Sequence, residues 1–174
     1  MFNKMMLLAV LAMGLSSVSS SWAFDADPRN STVLFKIDNG IGYTVGYFEK
    51  YSASVETDGD KVISAKAVID VDSVNTHNSW HNEGLRSPLF FDTAKFPQAT
   101  FESSKIEGDQ MTGVLTIKGI AKPIALTVGL NEGVFTAKGS FDRNDFGINF
   151  NRILKNHEKA IGEKVDLMVE LVKQ

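Results

Sequence analysis

From Ser31 onward apolar and polar residues alternate with a period of two, the spacing that sends successive side chains to opposite faces of a sheet. Val33, Phe35 and Ile37 share one face of a first strand. Gly40, Gly42 and Gly46 then predict a tight bend or bulge. A second strand follows from about Tyr47 to Thr57, closed by a hairpin turn at Asp58-Gly59-Asp60. The third strand, about Val62 to Asp72, groups Ile63, Ala65, Ala67, Ile69 and Val71, and its alanines leave room on that face. Turn signals at Glu107-Gly108-Asp109, Lys118-Gly119 and Asn131-Glu132-Gly133 divide the next stretch into strands near 99–106, 111–118, 123–130 and 134–142. Their inward faces are Leu115 and Ile117; Ile124, Leu126, Val128 and Leu130; Phe135, Ala137, Gly139 and Phe141. A last strand from Lys164 to Val172 contributes Val165, Leu167, Val169 and Leu171.

The pattern predicts an all-β domain of about eight antiparallel strands, without a long helix of 3.6-residue period. Closure into a barrel is favoured over a sandwich, because closure removes the unpaired edges that invite aggregation. A barrel of about eight strands has an interior that side chains can fill or that can hold one small ligand.

Alternation fails between Trp80 and Phe101. Phe90, Phe91, Phe96 and Phe101 crowd together there beside Arg86 and Asp92, and Pro88 and Pro97 rule out one continuous helix or central strand. Asn78 to Leu85 is expected to form a short helix ahead of the phenylalanines. The whole segment reads as a long cap between strands, and loops of this length are usually functional.

The first residues change the picture of where the chain works. Lys4 precedes an apolar run from Met5 to Leu15 and a serine-rich stretch, the layout of a secretory signal peptide, with Ser21 and Ala23 placing the cut after Ala23. The run is shorter than the roughly 20 residues a spanning helix needs. Residues 1–23 are therefore expected to be a leader and residues 24–174 one exported, periplasmic domain with no transmembrane segment. Loss of Lys4 moves the net charge from −3 to −4, with no block of like charge, which argues against nucleic acid as a partner. The chain has no cysteine, excluding disulfides, thiol catalysis and a lipidated cysteine anchor.

Several pieces now stand in a specific order: Gly46-Tyr47-Phe48, Leu85-Arg86-Ser87, Phe90-Phe91-Asp92, Ala94-Lys95-Phe96-Pro97 with Thr100-Phe101, Gly113-Val114-Leu115-Thr116-Ile117, Gly119-Ile120-Ala121-Lys122-Pro123 and Asp145-Phe146-Gly147-Ile148. Together they resemble the YceI family of bacterial periplasmic proteins across essentially the whole of residues 24–174. The resemblance implies a lipocalin-like barrel of eight antiparallel strands that takes a long-chain isoprenoid or another amphiphilic lipid, such as a polyisoprenoid quinone or a polyprenyl phosphate, with its polar head at the mouth. The sequence also departs from that family. Where members carry an Arg-Asp pair and a histidine ahead of the Leu-Arg-Ser piece, this chain has His81, Asn82 and Gly84, and Leu89 stands where an acid is common.

On this basis Phe35, Phe48, Phe90, Phe91, Phe101, Phe141 and Phe146 are the expected cavity lining, and His81, Arg86 and Arg143 the expected head-group rim. Each has a plainer reading: the phenylalanines as packed core, Arg86 as a partner of Asp92 or a loop carbonyl, and Arg143 as part of a charged turn with Asp142 and Asp145. His77 and His81 would share a helix face with Glu83 nearby, but a third ligand at suitable spacing is missing, so no metal is assigned. No nucleophile elbow or phosphate-cradling loop is present, so no catalytic residue is assigned. Two alternatives to a lipid carrier remain: an enzyme using His81, Glu83 and Arg86 on a lipophilic substrate, and a stress-related interaction protein with a fully packed barrel. Oligomeric state is not readable from the pattern.

Overall fold

A computed structural model describes residues 21–149 and 161–174; the leader before Ser21 and His157 lie outside them. The described residues form a single antiparallel sheet that curls on itself. In chain order its strands are β1 (Ser21–Asp25), β2 (Thr32–Asp38), β3 (Tyr43–Phe48), β4 (Tyr51–Asp58), β5 (Lys61–Asp70), β6 (Val74–Asn75), β7 (Gln98–Glu107), β8 (Gln110–Ile117), β9 (Ile120–Asn131), β10 (Val134–Asp142) and β11 (Lys164–Val172). The single helix among the described residues, α1 (Ser79–Arg86), lies between β6 and β7. The expected all-β, lipocalin-like architecture with a partly helical cap is what forms.

Eleven strands stand where the sequence predicts eight. One addition is β1, which crosses the expected cleavage point and pairs with β4, Phe24 opposite Val55 and Asp25 opposite Ser54. Another is the two-residue β6 beside β3. The third arises because the stretch read as one strand from Tyr47 to Thr57 breaks at Glu49 and Lys50. Ser73 holds that corner: its carbonyl accepts the Glu49 N–H at 3.2 Å and its hydroxyl oxygen the Lys50 N–H at 2.9 Å. Both donors would otherwise leave the ladder unsatisfied.

The order in the sheet is β1-β4-β5-β7-β8-β9-β10-β11-β2-β3-β6. Neighbours from β4 to β3 are antiparallel, so the β2–β3, β5–β7, β8–β9 and β10–β11 connections gather at one end, which we call the mouth. At the other end the residues after β1 reach across to the far side of the curl. Ala26 donates its N–H to the Ala53 carbonyl at 3.0 Å and Asp27 donates to the Val172 carbonyl at 2.9 Å, with a bridge from Ala26 to Lys173. Asp27 is braced in turn by Arg29, whose backbone N–H, above all, and guanidinium hold the carboxyl below the usual carboxylate range.

Strict alternation is interrupted twice, and both interruptions move side chains between faces. Between β4 and β5 the register shifts so that Thr57 lies opposite Val62. Val62 turns towards the core while Ile63, expected inside, is 48% exposed. Between β7 and β8 a second shift lies between Ser103 and Lys105, after which Ile106 faces inward opposite Met111.

Close approach fixes Gly113. Phe101 on β7 leans over Gly113 on β8, where a methyl group would sit 2.5 Å from the ring and 2.6 Å from the Glu102 carbonyl oxygen. Because that oxygen belongs to the ladder, the backbone rather than a flexible side chain would have to yield. We expect Gly113→Ala to lower the unfolding free energy by about 1–3 kcal/mol in a urea titration. Gly84→Ala, on an open face of α1 with nothing nearby, should leave it unchanged or raise it by about 0.5–1 kcal/mol.

Candidate functional site

The inward faces of the curled sheet do not meet. They enclose a cavity of about 690 Å³ that runs from Met111 and Leu171 in the interior to Ser87 and Leu89 at the mouth. The reason is the size of what points inward: Ala53 on β4, Ala65 and Ala67 on β5, Ala99 on β7 and Ala137 on β10 all form wall. A closely packed interior would need larger side chains at these positions. Val33, Leu115, Leu126 and Val169 complete an overwhelmingly apolar surface, with Asn39, Thr44, His81, Ser87 and Arg143 among its few polar members.

Six of the seven phenylalanines named from sequence stand on this wall: Phe35, Phe48, Phe90, Phe91, Phe101 and Phe141. Three of them form a cluster that ties the cap to the barrel. The Phe35 ring lies 5.8 Å from Phe48 and 6.5 Å from Phe91, and Phe48 and Phe91 are 6.1 Å apart, the latter two pairs edge-on. Such geometry adds to plain burial. Phe146 is placed differently. It ends a 3-10 turn, Arg143–Phe146, that folds it fully out of solvent with its ring 5.1 Å from Phe141 and edge-on to it. It backs the wall instead of forming it.

The cap is built from local hydrogen bonds. Asn78 caps α1, its side-chain oxygen accepting the His81 N–H at 3.1 Å, and Asn82 reaches back to accept the Thr76 N–H at 2.8 Å. Past the helix Phe91 donates to the Leu85 carbonyl at 2.9 Å and Asp92, with φ of 53°, donates to Ser87 at 2.9 Å. This tight reversal delivers Phe90 and Phe91 to the cavity. His77 precedes the cap residue with φ of 59° and stacks near Tyr47, so it does not share a helix face with His81.

The three arginine and histidine positions expected at the rim separate. His81 is exposed and borders the mouth. Arg86 turns away from the cavity: its Nε donates to the Asp72 carbonyl at 2.8 Å and Nη2 to the Val74 carbonyl at 3.2 Å, with the Asp72 carboxylate at 3.5 Å. The loop-carbonyl reading of Arg86 is the one the structure adopts, with the accepting carbonyls in the turn before β6 and at its first residue. Arg143 borders the cavity but is 2% exposed. Its Nε donates to Gly162 at 2.7 Å, Nη2 to Ile161 at 3.2 Å and Nη1 to the Ile148 carbonyl. Burial pushes its pKa down from the usual arginine value, opposed by the nearby charges of Glu163 and Asp142.

Sequence reasoning missed several wall residues. Ala53 and Ala99 were legible in principle from alternation with Val55 and Phe101. Ile41, Trp80 and Leu85 lie in segments without periodicity, where nothing in the sequence marks which side chains border the opening.

An all-β sheet rolled around one elongated apolar cavity, capped by a helix and a phenylalanine loop, defines a lipocalin-like binding domain. The chain matches the YceI-like domain over residues 24–173; it belongs to the YceI-like family. It is similar to a UPF0312 protein of Shewanella baltica, 30% identical over 80% of this chain and 83% of the relative. It is also similar to Protein YceI of Salmonella arizonae, 32% identical over 76% of this chain and 78% of the relative. Among solved structures, BcnA of Burkholderia cenocepacia matches with a TM-score of 0.73 and 29% identity, covering 86% of this chain and 99% of that one. A polyisoprenoid binding domain from Saccharophagus degradans, implicated in plant cell wall breakdown, shares the fold with a TM-score of 0.63 and 20% identity, over 87% and 98% of the two chains.

Arg143 donates to three carbonyls of the β10–β11 connection, and truncation removes all three charge-assisted bonds at a buried site. Arg143→Met is expected to cost at least about 3 kcal/mol of stability in urea or thermal unfolding. Arg86→Met, at a half-exposed site with two such bonds, should cost about half as much.

Proposed function

We propose that this protein binds the apolar chain of a long amphiphilic lipid, an isoprenoid in the first instance, inside the barrel and carries it outside the cytoplasm. The observation that carries the reading is the cavity: about 690 Å³ of apolar space with few polar partners for water. A space of that size would take on the order of twenty waters by volume, and an apolar wall gives them too few hydrogen bonds. Hydrocarbon fills it better. Each methylene sequestered contributes about 0.8 kcal/mol, so ten give roughly 8 kcal/mol before losses. Micromolar affinity or tighter is expected after ordering costs.

Within this proposal Phe35, Phe48, Phe90, Phe91, Phe101 and Phe141 contact the chain, and the head group sits near His81 and Arg143 at the mouth. Arg86 holds the cap in place instead. A quinone or a polyprenyl phosphate both fit such an arrangement of one long tail and one polar end. Export and cleavage after Ala23 belong to the same proposal, supported by the leader pattern.

Binding is favoured over catalysis by membership of the YceI-like family and by the dispersal of His81, Glu83 and Arg86, the one polar team the sequence offered for chemistry. Arg86 is committed to the backbone carbonyls of Asp72 and Val74 and is not part of the cavity wall. A fully packed interaction domain has no place for a void of this size.

Native mass spectrometry of the protein purified from its own cells, followed by organic extraction, tests the proposal. A stoichiometric long-chain species is the expected result. A clean apo mass that persists after incubation with quinones and polyprenyl phosphates would overturn it. Ala67→Phe places a ring in the cavity from the middle of β5 and should weaken binding of an added isoprenoid at least about tenfold, while circular dichroism stays that of a folded sheet protein.

A further inference from the structure

Two connections at the mouth, the β2–β3 turn and the cap between β6 and β7, hold three apolar side chains out in solvent. Ile41, between Gly40 and Gly42 at the tip of the β2–β3 turn, is 99% exposed. Trp80, in the first turn of α1, is 76% exposed, and Leu89, in the reversal after Pro88, is 43% exposed. None of the three belongs to the hydrophobic core, yet all three border the opening of the same cavity. A hairpin tip has no structural use for an isoleucine, and a tryptophan on the outward face of a capping helix adds nothing to the helix. Apolar groups gathered around one opening mark an interaction surface.

We infer that this rim is a membrane-docking surface: Ile41, Trp80 and Leu89 enter the interfacial layer of a lipid bilayer and set the cavity mouth against the hydrocarbon. Continuity with the cavity selects the bilayer over a protein partner. A protein that buried these side chains would stopper the opening they surround, whereas a bilayer that buries them presents, through the same contact, the kind of molecule the cavity fits. The chemistry of the rim agrees. Tryptophan suits a boundary with one apolar and one wet side, and insertion of a few apolar tips needs no spanning segment. The surrounding charges are mixed: Lys118, whose ammonium donates to the Pro88 carbonyl at 3.2 Å beside Leu89, Lys95 and Lys36 stand against Asp38, Glu83 and Asp92. A mixed rim gives no reason to require an anionic surface, so uncharged phosphatidylcholine is the appropriate probe. The inference rests on the carrier reading for its purpose, though the contact can be measured without cargo.

The experiment is flotation of the protein with phosphatidylcholine vesicles, run beside titration with farnesol, a short isoprenoid that reaches the cavity from solution. The wild type is expected to float, and the Ile41→Ser, Trp80→Ser, Leu89→Ser triple variant to lose at least about tenfold in vesicle partitioning. Farnesol affinity should fall far less than vesicle partitioning, because the three side chains border only the opening and the phenylalanine-lined interior is unaltered. Failure of the wild type to float, or flotation of the triple variant equal to wild type, overturns the docking surface. A wild-type dimer in sedimentation that the triple variant abolishes, without flotation, assigns the rim to a second copy of the chain and overturns it equally. Farnesol binding without flotation removes docking and leaves the carrier reading standing; flotation lost in the triple variant, with no farnesol binding by either protein, supports docking and removes the carrier reading.

Discussion

A sheet rolled into a tube must turn half of its side chains inward, and in this protein those side chains are too small to fill the tube. Ala53, Ala65, Ala67, Ala99 and Ala137 recur at inward positions of four strands, and Gly113 lets a phenylalanine from the neighbouring strand lean across it. Each strand from β4 to β3 has a hydrogen-bonded neighbour on both sides, so the curled sheet gains no further ladder by collapsing. What remains is a stable shell around apolar space, and every functional statement about the protein depends on that mismatch between perimeter and contents.

Holding such a shell open places a demand on its mouth, where four connections leave the ladder and their carbonyls need other donors. Two arginines meet much of it. Arg86 takes the carbonyls of Asp72 and Val74 at the start of the cap, and Arg143 takes those of Ile148, Ile161 and Gly162 across the β10–β11 connection. A guanidinium suits this task because its several fixed donors can hold carbonyls from different segments at once. Cationic side chains near a lipid cavity invite a head-group interpretation, but these two are first of all fasteners; only Arg143 also borders the cavity, and its buried position leaves little of it facing inward.

The same region carries the residues that set the character of the opening. His81 and Gly84 border it and Asn82 bonds back to Thr76, so amide and carbonyl hydrogen bonds hold the start of the cap. Leu89 adds an apolar group to the rim, and the outer lip of the cavity is greasy as well as its interior.

The period-two alternation by itself determined that the chain is an antiparallel all-β domain, and strands such as Lys164–Val172 and Val134–Asp142 fall where it puts them, because each inward side chain sits at a fixed parity. Inward phenylalanines on regular strands, Phe35, Phe101 and Phe141, were legible for the same reason. Parity fails at a bulge, which is why Ile63 lies outside and Val62 inside: the pattern is local, and the extra residue is placed by the partner strand. It also carries no information in the cap or in the turn after β10, where Arg86 and Phe146 were expected at the ligand and instead hold carbonyls and back the wall. Tertiary structure alone decided whether the barrel is full or hollow, because a void depends on the distance between strands remote in sequence. Which apolar side chains ring its opening was decided in the same way, since the β2–β3 turn and the cap, remote in sequence, meet there only when the sheet has curled.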